Sequence, residues 1–180
     1  MRLGRLTLGL YNSYDPKRLR EAHRRALARV GPLALAFDAN IATFGFPFPD
    51  DLRTPVEVAE WLSTTTSIGK DGGYMLDVAN AGRFHTFPYP GRGFPPQLGD
   101  VVLTTSRPED GRSVTIDDVV ARLRSGRSVT VLFGLGPHGV PSKVHRMCAE
   151  HMDVTGRGLS METCTAMGAV AAVIGTSIRQ

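Results

Sequence analysis

The sequence predicts a single α/β domain, residues 1–180, with a mainly parallel sheet and helices on both faces. Three observations predict it. Short apolar runs alternate with stretches of helical spacing along the whole chain. The run 33–37 is unbroken, as in a strand buried on both faces. A length of 180 residues suits one domain with a full core.

The elements follow in order. Residues 6–10 form a first strand. Asp15 is placed to cap a helix with Pro16 at its first position. That helix runs to about Val30, with Leu19, Ala22, Ala26, Leu27 and Val30 at helical spacing, and Gly31-Pro32 ends it. Residues 33–37 are the next strand, and Thr54-Pro55 opens a helix through Leu62. Residues 63–98 are rich in glycine and proline, with a short helix around 74–81. The remainder, notably 84–96, reads as a long loop ordered by its aromatics. Residues 100–105 are a strand, and Thr115 caps a helix with an acidic first turn that ends near Ser125-Gly126. Residues 128–133 are a strand, and Pro141-Ser142 begins a helix to about Glu150. A short strand at 152–154 precedes a last helix, opened by Ser160 or Met161 and running to about Ile174.

Composition narrows the function. Hydrophobic residues make up 42% and charged residues 21%, ordinary for a globular protein. The longest apolar run, 166–174, falls far short of the roughly 18 residues a membrane span needs. No export signal is evident at the start of the chain. Cys148 and Cys164 lie outside any CxxC pattern, which points to reduced thiols in a cytoplasmic setting and no metal cluster. His145, Cys148 and His151 share an H-x2-C-x2-H spacing, but on one helix the third would drift off the face of the first two. The net charge of +4 is dominated by arginine, with Arg18, Arg20, Arg24, Arg25 and Arg29 crowded in one segment. They form either a solvated helix face or a surface for phosphates.

Two glycine turns carry the sharper signal. The first runs from Val129 to Gly139 and turns at Phe133-Gly134-Leu135-Gly136-Pro137-His138-Gly139, and the second is Asp153-Val154-Thr155-Gly156-Arg157-Gly158-Leu159-Ser160-Met161-Glu162-Thr163. Each follows an apolar run and precedes a helix, so backbone N–H and C=O groups are left bare at one end of a sheet. The first matches G-x-G-x-x-G, but so late in the chain that too little follows to complete a dinucleotide domain. No GxxxxGK[ST] loop and no GxSxG elbow is present.

The order of these motifs resembles the SPOUT class of RNA methyltransferases. In that class one strand ends in a Thr-Ser-x-Arg-like turn, here Leu103-Thr104-Thr105-Ser106-Arg107. The next ends in a Phe-Gly-x-x-x-x-Gly turn, here Phe133 to Gly139, and a Ser-Leu-Asn-like segment starts the last helix, here Leu159-Ser160-Met161-Glu162-Thr163. The likeness spans about residues 99–178 and is nearest to an archaeal branch of the class. It implies a C-terminal deep trefoil knot over 99–180, with 1–98 as the open α/β portion. It also implies S-adenosylmethionine as cofactor, RNA (tRNA or rRNA) as substrate and a homodimer as the active unit. The cofactor-binding residues it implies are Thr104, Thr105, Ser106, Phe133, Gly134, Leu135, Gly136, Gly139, Val154, Thr155, Gly156, Gly158, Leu159, Ser160 and Thr163. Two departures stand out: Gly134-Leu135-Gly136 lacks the acid often found there, and Ser160-Met161 is followed by Glu162 rather than Asn. A member of the class that binds RNA without catalysis, or a small-molecule-binding α/β domain, stays open as an alternative.

Candidate catalytic residues are Arg107, to hold a phosphate or an oxyanion, and Glu162, as base or amine ligand. Each has a simpler reading, Arg107 as a surface arginine and Glu162 as a helix N-terminal acid. Candidate RNA contacts are Arg18, Arg24 and Arg25 in the basic segment, and Arg83 and Arg92 around the aromatic loop. The last helix is apolar nearly all round, as a core or subunit-interface helix must be.

Overall fold

The structure, a computed structural model, describes residues 2–65 and 72–180. Part of the glycine-rich segment, 66–71, lies outside the described residues. Six strands form one sheet: β1 (Leu6–Asn12), β2 (Asn40–Phe44), β3 (Phe84–Phe87), β4 (Asp100–Thr104), β5 (Val129–Leu135) and β6 (Glu150–Met152). Their order is β3-β2-β1-β5-β4-β6, and every pairing is parallel. The helices are α1 (Glu21–Ala36), α2 (Pro55–Thr65), α3 (Gly72–Asn80), α4 (Ile116–Arg124), α5 (Ser142–Met147) and α6 (Thr163–Arg179).

Alternation along the strands divides the core. Leu6, Leu8 and Leu10 of β1 and Val129, Val131 and Phe133 of β5 face the larger apolar cluster with α1–α4 and α6. Tyr11 and Leu132 point the other way, into a smaller cluster with Val144 and Cys148 beside α5, against which Phe87 and Phe94 pack.

Three stretches depart from the sequence expectation, and two ends also shift: β6 is Glu150–Met152 rather than 152–154, and α6 starts at Thr163 and runs to Arg179. First, α1 starts at Glu21 rather than Pro16 and continues through Gly31-Pro32 to Ala36. The Asp15 carboxylate does accept two amides, from Lys17 and Arg18, but in a turn ahead of the helix. His23 Nδ1 accepts the Arg20 amide and so helps start the helix. Pro32 removes one helical hydrogen bond. Packing outweighs that loss: a Cβ on Gly31 would lie 3.2 Å from the Met75 amide nitrogen, so α3 docks on the helix there. The 33–37 run is therefore the last turn of α1, and the strand is β2. Second, Phe84–Phe87 is an edge strand and not loop. The prolines after it, Pro88 and Pro90, keep the strand from continuing. Third, α5 stops at Met147, and Glu150 belongs to β6.

The β1 and β5 strands lie side by side, yet their connections leave in opposite directions, towards β2 and β6 respectively. Such a reversal opens a crevice outside the carboxyl ends of the strands.

Candidate functional site

A cleft of about 960 Å³ fills that crevice, within the range that holds small-molecule ligands. Three strand-end loops wall it. Thr104 ends β4 and Thr105, Ser106 and Arg107 follow it; residues 133–135 end β5 and 136–140 follow it; Asp153, Val154 and 159–163 follow β6. Tyr14 and Ala22 close it from the β1 side.

Hydrogen bonds across the loops hold the walls in register. The Thr104 hydroxyl donates to the Leu132 carbonyl at 2.9 Å. The Thr105 amide donates to the Met152 carbonyl at 3.0 Å. The Thr163 hydroxyl at the start of α6 donates to the Gly134 carbonyl at 2.7 Å. Gly136 has φ +155°, and a Cβ there would lie 2.5 Å from the Ser13 carbonyl oxygen. That close approach is why glycine stands at 136. Gly139 has φ +66° and open space where a side chain would stand.

The structure gathers most of the sequence-predicted cofactor residues on this cleft: Thr104, Thr105, Ser106, Phe133, Gly134, Leu135, Gly136, Gly139, Val154, Leu159, Ser160 and Thr163 line it. Thr155, Gly156 and Gly158 do not. They shape the third loop around Asp153, whose carboxylate accepts from the Thr155 amide and hydroxyl and from the Gly158 amide at 2.7 Å. Burial pushes the Asp153 carboxyl up, but those hydrogen bonds outweigh it and the net shift is down. Tyr14, Ala22 and His145 line the cleft from outside the predicted turns, and Asp153 and Met161 line it from within the second turn without having been named as cofactor contacts. Tyr14 and Asp153 each sit just past the end of a parallel strand, a position that could have flagged them.

Arg107 stands exposed on the cleft wall, and among the described residues no carboxylate pairs with it. Glu162 is the N-cap of α6 and accepts from the Thr165 amide at 3.0 Å and from its hydroxyl. Burial raises its pKa, yet hydrogen bonds from Cys164 and Thr165 prevail and lower it. A carboxylate held in this way is a weak base, so capping is its evident task.

The arginines divide. Arg18 is exposed beside the cleft-lining Tyr14 loop. Arg25 is 61% exposed and pairs with Glu21 at 3.3 Å. Arg24 lies over the Trp61 ring at 5.6 Å, which makes it a packing residue more than a free cation. Arg83 donates to the Ala34 and Ala39 carbonyls at 2.7 and 2.5 Å and pairs with Asp38, so it ties off the end of α1 and does not reach for a ligand. Arg92 is exposed on the segment after β3.

Because α5 ends early, the H-x2-C-x2-H residues are not on one helix. His151 returns on β6, with its ring 5.5 Å from that of His145, and Glu109 joins them. Both His151 nitrogens are already engaged, Nδ1 by the Glu109 amide and Nε2 with the His145 carbonyl. Arg112 pairs with Glu109 and donates to the His145 and Cys148 carbonyls. The group clasps the 105–114 segment to β6. Cys148 is buried, and burial pushes its thiol up to about 12.

An all-parallel sheet with three strand-end loops on one cleft, two of them bearing glycine, is the fold of SPOUT-class methyltransferases, and solved structures bear this out at the level of fold. The chain is similar to a probable methyltransferase from Bordetella pertussis, with a TM-score of 0.64 at 10% identity over 97% of this chain and 96% of that one. It is similar to an AdoMet-bound rRNA methyltransferase from Sinorhizobium meliloti, with a TM-score of 0.56 at 16% identity over 98% and 58% of the two chains. It is also similar to the SpoU methyltransferase AviRb from Streptomyces viridochromogenes, with a TM-score of 0.56 at 16% identity over 99% and 61%. Within that fold the chain belongs to the family described as protein of unknown function (DUF531), which matches residues 6–175. A relative, uncharacterized protein MJ0224 of Methanocaldococcus jannaschii, is 39% identical over 173 residues, covering 96% of this chain and 95% of that protein.

Proposed function

We propose that this protein is an S-adenosylmethionine-dependent methyltransferase acting on structured RNA, tRNA or rRNA, as a homodimer. The observation that carries the proposal is the meeting of three strand-end loops on one cleft at the reversal point of the sheet. The residues present fit the cofactor. The cleft has room for it, Gly139 leaves space beside the backbone, and peptide groups at the tip of the loop after β5, such as those of His138, can pair with an adenine edge.

When bound, the cofactor supplies a methyl group on a sulfonium. The chain's part is then to hold and orient. Thr163 and Thr104 keep the loops at fixed spacing, so that a nucleophile entering the cleft meets a preformed site. Arg107 is the cation available to steady a substrate phosphate or a developing oxyanion. Exposed Arg18, Arg25 and Arg92 extend a positive surface outward for the RNA backbone. The deep C-terminal knot belongs to the proposal, and the strand order is compatible with it. So does the dimer: α6 buries Met167, Val170 and Ile174 inside the protomer but leaves Val173 46% exposed on its outer face.

The test is transfer of label from methyl-tritiated S-adenosylmethionine to bulk tRNA and rRNA from cells lacking the protein. Incorporation is expected; absence of label in RNA of every size class would defeat the enzyme reading. Engagement of Glu162 as a cap favours one alternative, an RNA-binding protein of this fold without catalysis. That alternative predicts RNA retention without label.

A further inference from the structure

We propose that a second pocket, beside the cofactor cleft, receives one unstacked nucleobase of the RNA substrate. The inference rests on the reading above and names the part of the site that selects the substrate. The pocket measures about 410 Å³. Tyr11, Asn12, Tyr14, Tyr89, His138 and Pro141 are among the residues that line it. Tyr14, His138, Gly139 and Val140 also line the cleft, so the two cavities share a wall at the ends of β1 and β5.

Three features fit a flat heteroaromatic ligand. The first is a pair of preorganised aromatic faces. Tyr89 lies on the backbone of Gly45, where a Cβ would come within 2.3 Å of its ring. Its hydroxyl donates to the Asn12 carbonyl at 2.7 Å, and its ring stands 5.3 Å from that of Tyr11. Even so, Tyr89 remains 39% exposed. Tyr14 is set edge-on against buried His23 at 5.8 Å and is 50% exposed. Rings fixed on one side and open on the other lose little freedom when a base stacks on them.

The second feature is polar. The hydroxyl of pocket-lining Ser13 is buried and has no hydrogen-bond partner among the described residues, so turning it out to a base-edge or ribose group would satisfy it. The third is charge. Lys17 and Arg18 follow directly on pocket-lining Pro16 and are exposed. The one carboxylate nearby in sequence, Asp15, is turned to the Lys17 and Arg18 amides and to the Arg20 guanidinium. A phosphate flanking the bound base would meet these two cations, while the Asp15 carboxylate, close enough to act on Tyr89, is held by its own hydrogen bonds.

The experiment uses the full chain and a uridine hexaribonucleotide with one central 2-aminopurine, whose fluorescence falls on stacking. Wild type is expected to bind it with quenching. Tyr89→Leu, which keeps bulk but loses the ring, should weaken binding by about 5- to 100-fold and abolish quenching, and Tyr89→Phe should restore both. Tyr14→Leu, at a more exposed ring, should also weaken binding and serves if Tyr89→Leu does not fold. S-adenosylmethionine affinity by calorimetry should be unchanged in Tyr89→Leu, because Tyr89 lies outside the cofactor cleft. Binding without quenching by wild type, or leucine variants that bind and quench like wild type, would overturn the proposal. Quenching in a protein that takes up no S-adenosylmethionine would leave the pocket standing and remove the cofactor reading.

Discussion

Replacing Gly136 by alanine should damage fold and cleft together, and the size of the effect follows from local geometry. The new Cβ would lie 2.5 Å from the Ser13 carbonyl oxygen, inside any ordinary contact. Ser13 cannot simply retreat, since its amide donates to the Leu135 carbonyl at 3.0 Å and anchors the end of β1 to β5. The backbone at φ +155° adds strain for any residue with a side chain. Strain and overpacking together should cost about 2–4 kcal/mol. For a domain of this size that lowers Tm by roughly 5–15 °C, readable by circular dichroism. The 133–140 loop must shift to relieve the contact, so S-adenosylmethionine affinity should fall by at least about tenfold even below the transition. Gly139→Ala is the control. It has φ +66° but nothing within 4 Å, so it should cost only about 1 kcal/mol. A Gly136→Ala protein that melts with wild type and binds the cofactor equally would refute the reasoning.

Four further outcomes are expected. His23 is fully buried, its Nε2 facing Asn12 Oδ1 at 2.8 Å and its Nδ1 accepting the Arg20 amide, and burial lowers its pKa below the usual 6.5. The unfolded chain therefore takes up the proton first, and stability present above pH 6.5 is lost as pH falls from there towards the folded pKa. Imidazole NMR should show a titration midpoint below 6.5 and, above it, a neutral ring protonated on Nε2; a midpoint at or above 6.5 would contradict the assignment. Arg122 forms a bidentate pair with Glu150, and its hydrogen bonds lower the Glu150 pKa, so this stabilisation is present above the unfolded carboxylate pKa and fades as pH falls through the folded one. Arg122→Met should cost about 1–3 kcal/mol at pH 7 in urea unfolding and progressively less as pH falls through the folded carboxylate pKa, whereas a loss that does not change with pH would exclude the ion pair as cause. Gly175→Ala would bring a Cβ 2.7 Å from Phe37 Cβ where α6 crosses the end of α1, at a cost of about 1–3 kcal/mol in the same assay. Val173→Glu should convert a sedimenting dimer to monomer without lowering Tm by more than a few degrees; an unaltered dimer would place the interface elsewhere.

The sheet was legible where local and tertiary preferences agree. The Thr115 cap, with Asp118 reciprocating, starts α4 where the sequence says it should. The β4 and β5 runs are apolar on both faces and lie where expected. Gly31-Pro32 misled because a helix stop signal is a local cost of a few kcal/mol, and the packing of α1 on α3 and α6 exceeds it. The H-x2-C-x2-H spacing misled because it presumed a longer helix; α5 ends at Met147, so Cys148 is buried away from the two histidines that meet. Most cleft residues were readable as glycine-bearing strand ends. Thr155, Gly156 and Gly158 were assigned to the ligand because a turn that binds and a turn that folds around its own aspartate share one composition. Arg83 looked like an RNA contact because nothing in sequence shows two carbonyls at the end of α1 converging on it. Tyr14 and Tyr89 are 75 positions apart in the chain, and only the pairing of β1 with its neighbours brings them to one pocket.

The most direct test of the cofactor cleft is amide NMR of the isotopically labelled full chain during titration with S-adenosylmethionine. Saturable shifts are expected together in residues 104–107, 133–140 and 159–163, the three loops that wall the cleft. An unchanged spectrum at millimolar cofactor, or shifts confined to residues far from those loops, would contradict it.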